Sequence, residues 1–500
     1  MRYNKLILLS IASTVAIARP NGKECWSEKF KIPCCQSTEA VVRTTYDGEW
    51  GMENGEWCGL GIASTRPVDD VPAAPPVIDY DSFVDPAADC DISDSITGES
   101  LAKAAPFRFG VGLNGVDLQH STTTSETMKK LIKHQFTSMS YSNMMKSLFI
   151  LDEAGSRKNA ENGLEEEVVL NFSQITDGLE FAAQNGIHIR GHVLVWHTQF
   201  PDWFFKKGFN VSNENADVDT IYARLESYIK QYLGFLQFNY PGVVDVFDVV
   251  NEAIEIDGDC YDKTTGWLTR ICVYYEGNRP NIWYELLGPD YVLNTFRIAR
   301  KYALPNVKLV YNDYNTFQTS PLDKTQAIIN LLRILKKEDL VDAIGMESYI
   351  QVGWPSAADY GRAIERFANE GLEIQITELT ITAPEGEDWE QKQAEQYREI
   401  FEEIMKQYKN GVNISSVTVF GLQDGYRFYE SDSTRTRLFD HDLQKKPNYH
   451  AIMDVLNAYN NSNVNDDEQD ETLDSSDDEE VSTEVEDVEE STEVSDFDDE

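Results

Sequence analysis

An α/β fold, a (β/α)8 TIM barrel, is predicted for the long central stretch of the chain by three observations. Short apolar, β-branched runs alternate with amphipathic helical patterns, as parallel βαβ units require. Eight such runs fall within about 350 residues, a span suited to a barrel with inserted loops. The runs repeatedly end in polar and aromatic residues, which is where barrels carry their chemistry. An open doubly wound sheet is the competing arrangement, but no Gly-rich phosphate turn follows any of the runs.

Taken in order, residues 1–18 have a basic start (Arg2, Lys5), then the apolar runs Leu6 to Leu9 and Ile11 to Ala18. This pattern predicts a secretory signal peptide rather than a membrane anchor, because the run is short and interrupted by Ser10, Ser13 and Thr14. No later run is long enough to span a bilayer. Residues 24–62 form a compact unit holding four of the seven cysteines (Cys25, Cys34, Cys35, Cys58). Residues 63–103, rich in Pro, Asp and Ala, read as an extended linker. The barrel occupies 104–459. Its strand candidates are Phe107 to Leu113, Phe136 to Ser140, Ile189 to Trp196, Val243 to Val250, Lys308 to Tyr311, Ala343 to Glu347, Glu373 to Thr377 and Ser416 to Phe420. Helical patterns between them include Thr124 to Lys133, Ile221 to Phe238 and Trp389 to Lys409. Cys260 and Cys272 are close enough to close a local loop, and Cys90 is left over. Residues 460–500 are an acidic tail predicted to be disordered.

Of the formal net charge of −43, residues 466–500 contribute 20 negative side chains and no Lys or Arg, leaving −23 for the rest. Such acidity repels phosphate backbones and sets nucleic acid aside as a partner. No membrane partner is expected once the leader is removed. No cofactor or metal is expected either, since the histidines lack a ligand spacing with open coordination.

Two glutamates carry the functional argument. Glu252, in Phe-Asp-Val-Val-Asn-Glu-Ala, and Glu378, in Ile-Gln-Ile-Thr-Glu-Leu, each stand where a buried strand would end. Paired carboxyls delivered by two strand ends are what glycosidic bond cleavage requires. The segments Gly191 to His197, Asp248 to Ala253, Tyr311 to Asn315, Trp354-Pro355 and Ile376 to Leu379, in this order and spacing, closely resemble glycoside hydrolase family 10, the endo-β-1,4-xylanases.

That resemblance implies a retaining mechanism on xylan, with Glu252 as acid/base and Glu378 as nucleophile. It implies that Asn251 contacts a sugar 2-hydroxyl and that His192 and Trp196 wall the subsite of the cleaved sugar. Asn143, Lys146 and Gln199 are implied as polar contacts to the next sugar outward. A hydrogen-bonded core role for the histidines, and a surface role for Lys146, are the plain alternatives. Three departures surround the pair. Glu347 and Tyr349 stand where the family has Gln and His after strand six. Phe420 and Phe428 stand where it has two tryptophans after strand eight, and Ser142 where it has Glu. These substituted positions line the sugar pocket, so the expectation extends to decorated xylan or another β-1,4-glycan. A carbohydrate-binding protein with weakened turnover is the alternative from another class.

The N-terminal unit, with Cys25-Trp26-Ser27, Pro33-Cys34-Cys35 and Asp47 to Gly59, resembles anaerobic fungal dockerins and the related small cellulose-binding family 10 module. A core this small needs disulfides. Vicinal Cys34–Cys35 pairing is sterically poor, which leaves two connectivities. The resemblance implies docking onto a scaffold protein in a cellulosome-like complex through Asp47, Trp50 and Trp57. The alternatives are that these tryptophans fill the module's core, or that the module binds cellulose directly. Ile32 departs from the Tyr usual before Pro-Cys-Cys.

Overall fold

The computed structural model describes residues 25–61, 64–79, 83–273, 279–425 and 435–474, with side chains described as far as Ser462. The expected leader 1–18, Phe428 and the tail beyond 474 lie outside the described residues.

Eight parallel strands form the barrel: β1 (Arg108–Leu113), β2 (Ser138–Tyr141), β3 (His188–Gly191), β4 (Val244–Asn251), β5 (Lys308–Asp313), β6 (Ala343–Met346), β7 (Glu373–Thr382) and β8 (Ile414–Val419). Their order is β3-β2-β1-β8-β7-β6-β5-β4, and β3 pairs with β4 to close the ring. A helix follows each strand: α1 (Glu126–Gln135), α2 (Thr176–Asn185), α3 (Val218–Asn239), α4 (Tyr291–Tyr302), α5 (Lys324–Lys337), α6 (Ala357–Ala368), α7 (Trp389–Lys409) and α8 (Pro447–Asp474). The strands are hydrophobic on both sides because the helices cover one face and the barrel interior the other. In β4 every residue but Asp245 is buried. The helices bury one stripe each; α7 buries Ala394, Tyr397, Ile400, Phe401, Ile404 and Met405, a 3.6-residue repeat.

Local chemistry explains where the boundaries differ from the sequence pattern. Ser125 Oγ accepts the Met128 amide, so α1 starts at Glu126 rather than Thr124. Strand three breaks after Gly191 and resumes as Val195–Trp196, which pairs with Val250–Asn251. The last helix runs past the expected boundary at 459, since a helix already nucleated on packed residues such as Tyr449 and Leu456 extends at little cost per residue.

The N-terminal unit is a three-stranded antiparallel sheet of Arg43–Thr44, Glu49–Glu53 and Glu56–Gly59. Its bridges are Cys25–Cys34 and Cys35–Cys58; a third, Cys260–Cys272, closes the loop after β4. The docking-surface expectation is corrected here. Trp50 is fully buried, edge-on to Trp26 with centroids 4.5 Å apart, and its Nε1 donates to Thr45 Oγ1 at 2.9 Å. Asp47 is also fully buried, paired with Arg66 at 2.7 Å. A unit this small cannot leave its largest apolar group outside its core. Trp57 is half-buried, with the Arg43 guanidinium 5.1 Å from its ring centroid. Trp50→Ala is expected to cost the unit about 3–5 kcal/mol, read as a lower denaturant midpoint for its unfolding in the full chain.

The linker is also corrected: it lies along the barrel instead of spacing the unit away from it. Asp85 accepts hydrogen bonds from Ser125 Oγ and the Thr127 amide, Ser95 Oγ donates to Leu443 O at 2.7 Å, and Ala87, Ile92 and Leu101 are buried. The unit itself touches α4. The Tyr46 amide donates to Lys301 O at 2.8 Å, the Tyr46 and Tyr302 rings lie 5.0 Å apart, and Arg43 pairs with Asp339 at 2.7 Å. Apolar residues scattered through a Pro-rich run allow this, because each buried side chain removes apolar area from water.

Candidate active site

The carboxyl ends of the strands converge on Asn312, the fifth residue of β5. Opposite it in register, on β6, is Gly345. A Cβ there would meet Asn312 Oδ1 at 2.2 Å, so only glycine leaves room for this amide. Thr377 Oγ1 donates to Asn312 Oδ1 at 2.7 Å, which orients the amide nitrogen toward three oxygens. Nδ2 lies 2.8 Å from Asn251 Oδ1, 3.1 Å from Glu347 Oε1 and 3.3 Å from Glu378 Oε1. One side chain thus ties together the ends of β4, β6 and β7.

Glu378, on β7, is 6% exposed. Tyr349 Oη donates to its Oε2 at 2.5 Å, and His192 Nε2 lies 3.9 Å from its Oε1. His192 is held from behind: its Nδ1 is 2.9 Å from Asp248 Oδ2, and the fully buried Asp248 also receives the Arg190 guanidinium. Arg190 Nε donates in turn to Gln375 Oε1 at 3.0 Å. A buried charge pair of this kind survives only when its remaining donors and acceptors are satisfied, and here they are shared among β3, β4 and β7.

Glu252 directly follows β4 with a left-handed backbone (φ 52°), which costs a non-glycine residue on the order of 1–3 kcal/mol. Two bonds hold it: its amide donates to Asn312 O at 2.9 Å, and its carbonyl accepts Arg270 Nε at 2.8 Å. Asn251 Nδ2 donates to its Oε1 at 3.2 Å, and His197 Nε2 is 3.9 Å from its Oε2. Burial pushes the Glu252 carboxyl above the usual carboxylate range, against the pull of Arg270. Burial also holds His197 well below its ordinary value, helped by Arg270 and Arg279, so its imidazole is neutral. Arg270 pairs with Glu255 at 2.7 Å and donates to Tyr314 Oη at 2.9 Å, while Lys324 pairs with Asp313 at 2.7 Å.

The remaining expected residues fall beside this pair. Lys146 Nζ stands 4.6 Å from the Trp196 ring centroid and donates to Gln199 Oε1 at 2.7 Å. Gln199 Nε2 reaches Asn143 Oδ1 at 3.3 Å, and Asn143 Nδ2 donates to Gly115 O at 3.1 Å. Lys146 is only 7% exposed; burial lowers its pKa, while Glu378, Glu252 and Glu347 oppose this. Phe420 meets Tyr349 edge-on at 6.4 Å. Phe428 is outside the described residues. Ser142 turns back on the backbone, donating to Leu113 O at 2.7 Å.

Four contributors had no role in the sequence reading: Asn312, Arg270, Asp248 and Arg190. Asn312 and Asp248 lie inside quoted motifs. The usable signal for Arg190 and Asp248 was opposite charge on two runs otherwise too apolar to hold either alone. Arg270 follows a loop with no local signal.

Comparison with known proteins agrees with this fold. The model of glycosyl hydrolase family 10 matches residues 100–455, and a family described as a cellulose or protein binding domain matches 24–60. Endo-1,4-beta-xylanase B of Butyrivibrio fibrisolvens is 34% identical over 353 residues, 69% of this chain and 51% of that protein. Endo-1,4-beta-xylanase B of Paenibacillus barcinonensis is 29% identical over 379 residues, 72% of this chain and 99% of that protein. The chain therefore spans about half of one relative and nearly all of the other. A crystal structure of the Clostridium thermocellum xylanase 10B CBM22-1 and GH10 modules with xylohexaose superposes with a TM-score of 0.62 and 30% identity, covering 71% of this chain and 67% of that one.

Proposed function

Because the chain belongs to glycosyl hydrolase family 10, we propose that it is a secreted endo-β-1,4-xylanase that cleaves internal bonds of xylan by double displacement. The observation that carries this reading is the unequal surroundings of its two carboxyls. Glu252 is pushed toward its protonated form by burial and faces the neutral His197, which suits it to give a proton to the leaving sugar oxygen. Glu378 receives hydrogen bonds from Tyr349 and Asn312, donors that solvate a negative charge and aim it for attack. Attack gives a glycosyl ester on Glu378. Glu252, now ionised, then takes a proton from the water that breaks the ester.

Asn251, bonded to Glu252 and joined to Glu378 through Asn312, suits a sugar 2-hydroxyl. His192 and Trp196 wall the cleaved sugar, and the Lys146, Gln199 and Asn143 chain offers donors to the next one. The phenylalanine at 420 offers less stacking area than an indole, which favours decorated xylan or another β-1,4-glycan as a second substrate. The N-terminal unit docks onto a scaffold protein through faces other than Asp47 and Trp50. Direct cellulose binding is the alternative, likewise through a face other than Trp26 and Trp50, which are turned into the core.

Proton NMR of xylo-oligosaccharide cleavage tests the mechanism. The first product anomer is expected to be β, as in the substrate; α product appearing first would exclude double displacement. Since Glu252 must be protonated, kcat/KM is expected to fall as pH rises through its elevated pKa.

A further inference from the structure

Asn312 is asked for more hydrogens than it has. Its amide carries two, and three oxygens surround Nδ2: Asn251 Oδ1, Glu347 Oε1 and Glu378 Oε1, at 2.8, 3.1 and 3.3 Å. Flipping the amide would not help, because Oδ1 is already committed to the Thr377 hydroxyl and would otherwise face three acceptors. Glu378 has a second donor in Tyr349. Among the described residues, Asn312 is the one side-chain donor at the Glu347 carboxyl. Glu347 is 2% exposed, so bulk water does not solvate its carboxyl. Two ionised carboxyls sharing one amide nitrogen would also repel at close range in a site where charge is poorly screened.

We propose that Glu347 works as a neutral carboxylic acid, a positioning residue that leaves the Asn312 amide facing one carboxylate instead of two and, with Tyr349, fixes Glu378 in place. The proposal rests on Glu378 being the nucleophile. The groups facing Glu347 are Glu252 from β4, Asp313 from β5, Lys324 from α5, Lys146 after β2, Tyr349 after β6 and Glu378 from β7. Three of the six are carboxyls. Burial first, then Glu252, Glu378 and Asp313, hold the Glu347 proton on well above the usual carboxylate range, with Lys324 opposing. A Gln at this position would be neutral at every pH.

Two readouts on the full chain test this. Infrared difference spectra of wild type minus Glu347→Gln near pH 7 are expected to show the C=O band of a protonated carboxyl, shifted in heavy water. Glu252 is present in both proteins and cancels. The pH dependence of kcat/KM on xylan is the second readout. If Glu347 is neutral, Glu347→Gln lowers the plateau a few-fold but leaves the midpoint of the alkaline fall within about 0.3 pH unit, because no charge near Glu252 has changed. If Glu347 is ionised in the wild type, the band is missing and the same variant moves that midpoint down by about 1 unit or more, since a carboxylate holding the Glu252 proton on has been removed. Either of these results overturns the proposal. Should Glu347→Gln not fold, as judged by its melting curve, Glu347→Asp serves in the subtraction. It withdraws the carboxyl from Asn312 and must leave the wild-type band displaced, whereas a featureless spectrum counts against the proposal. The infrared result does not depend on turnover, so a failure of the nucleophile assignment is seen separately, as activity surviving in Glu378→Ala.

Discussion

Glu378→Ala is expected to reduce reducing-sugar release from xylan to background while leaving the melting temperature at or above that of the wild type. The carboxyl is buried, and among the described residues no Lys or Arg is bonded to it; its contacts are the Tyr349 hydroxyl, the Asn312 amide and, at 3.9 Å, His192. Removing it leaves three polar neighbours beside a space large enough to admit water and takes a charge out of a crowded acidic cluster, so stability has little to lose. Catalysis has everything to lose: neither Tyr349 nor Asn312 can form the glycosyl ester, and a water placed there lacks a base. Binding of a xylo-oligosaccharide, followed by calorimetry, is expected to persist, because the residues proposed to hold the sugars are untouched. Residual release well above background would show that Glu378 is not the nucleophile. Release that is already absent in the wild type would favour a binding protein instead.

Asp248→Ala is expected to destabilise the barrel by about 3–5 kcal/mol, because it leaves the Arg190 guanidinium buried without its partner. Chemical denaturation of both proteins measures this. The charge has a signature in pH. Burial works to raise the Asp248 pKa, but Arg190 and His192 outweigh it and hold the carboxyl below its ordinary value. A depressed pKa stabilises the fold at pH values above the unfolded value, about 3.9, and that stability is lost as pH falls through the folded value. Wild type should lose stability over that acid range and Asp248→Ala should lose less. An equal loss in both would mean that Asp248 is not ionised in the fold. The variant should also lower kcat, since His192 loses the acceptor that turns its Nε2 toward Glu378.

The barrel was legible because its evidence is periodic. Alternating β-branched runs and 3.6-residue helical stripes survive any detail of packing, and Trp389–Lys409 appears with the bounds its pattern indicates. Glu252 and Glu378 were legible for a related reason: a carboxyl ending a buried strand has few places to go but the barrel mouth. Asn312 was not, because its importance comes from the missing side chain at Gly345, a relation across two strands that no local pattern carries. Trp50 and Asp47 were misplaced because a tryptophan in a short polar run can equally face out or fill a core. Three-dimensional closure of the small unit, with Trp26 edge-on and Arg66 opposite Asp47, decided it.

What this sequence determined by itself is therefore the order of its elements and the position of two carboxyls at strand ends, since both depend on residue type and spacing along the chain. What only the tertiary structure decided is the surroundings of those carboxyls and the company they keep. Glu347 faces three other acids, Tyr349 reaches Glu378, the linker lies on the barrel, and Trp50 and Asp47 leave the surface. Each of these depends on desolvation and on distances between residues far apart in sequence, and both quantities exist only once the chain has closed on itself.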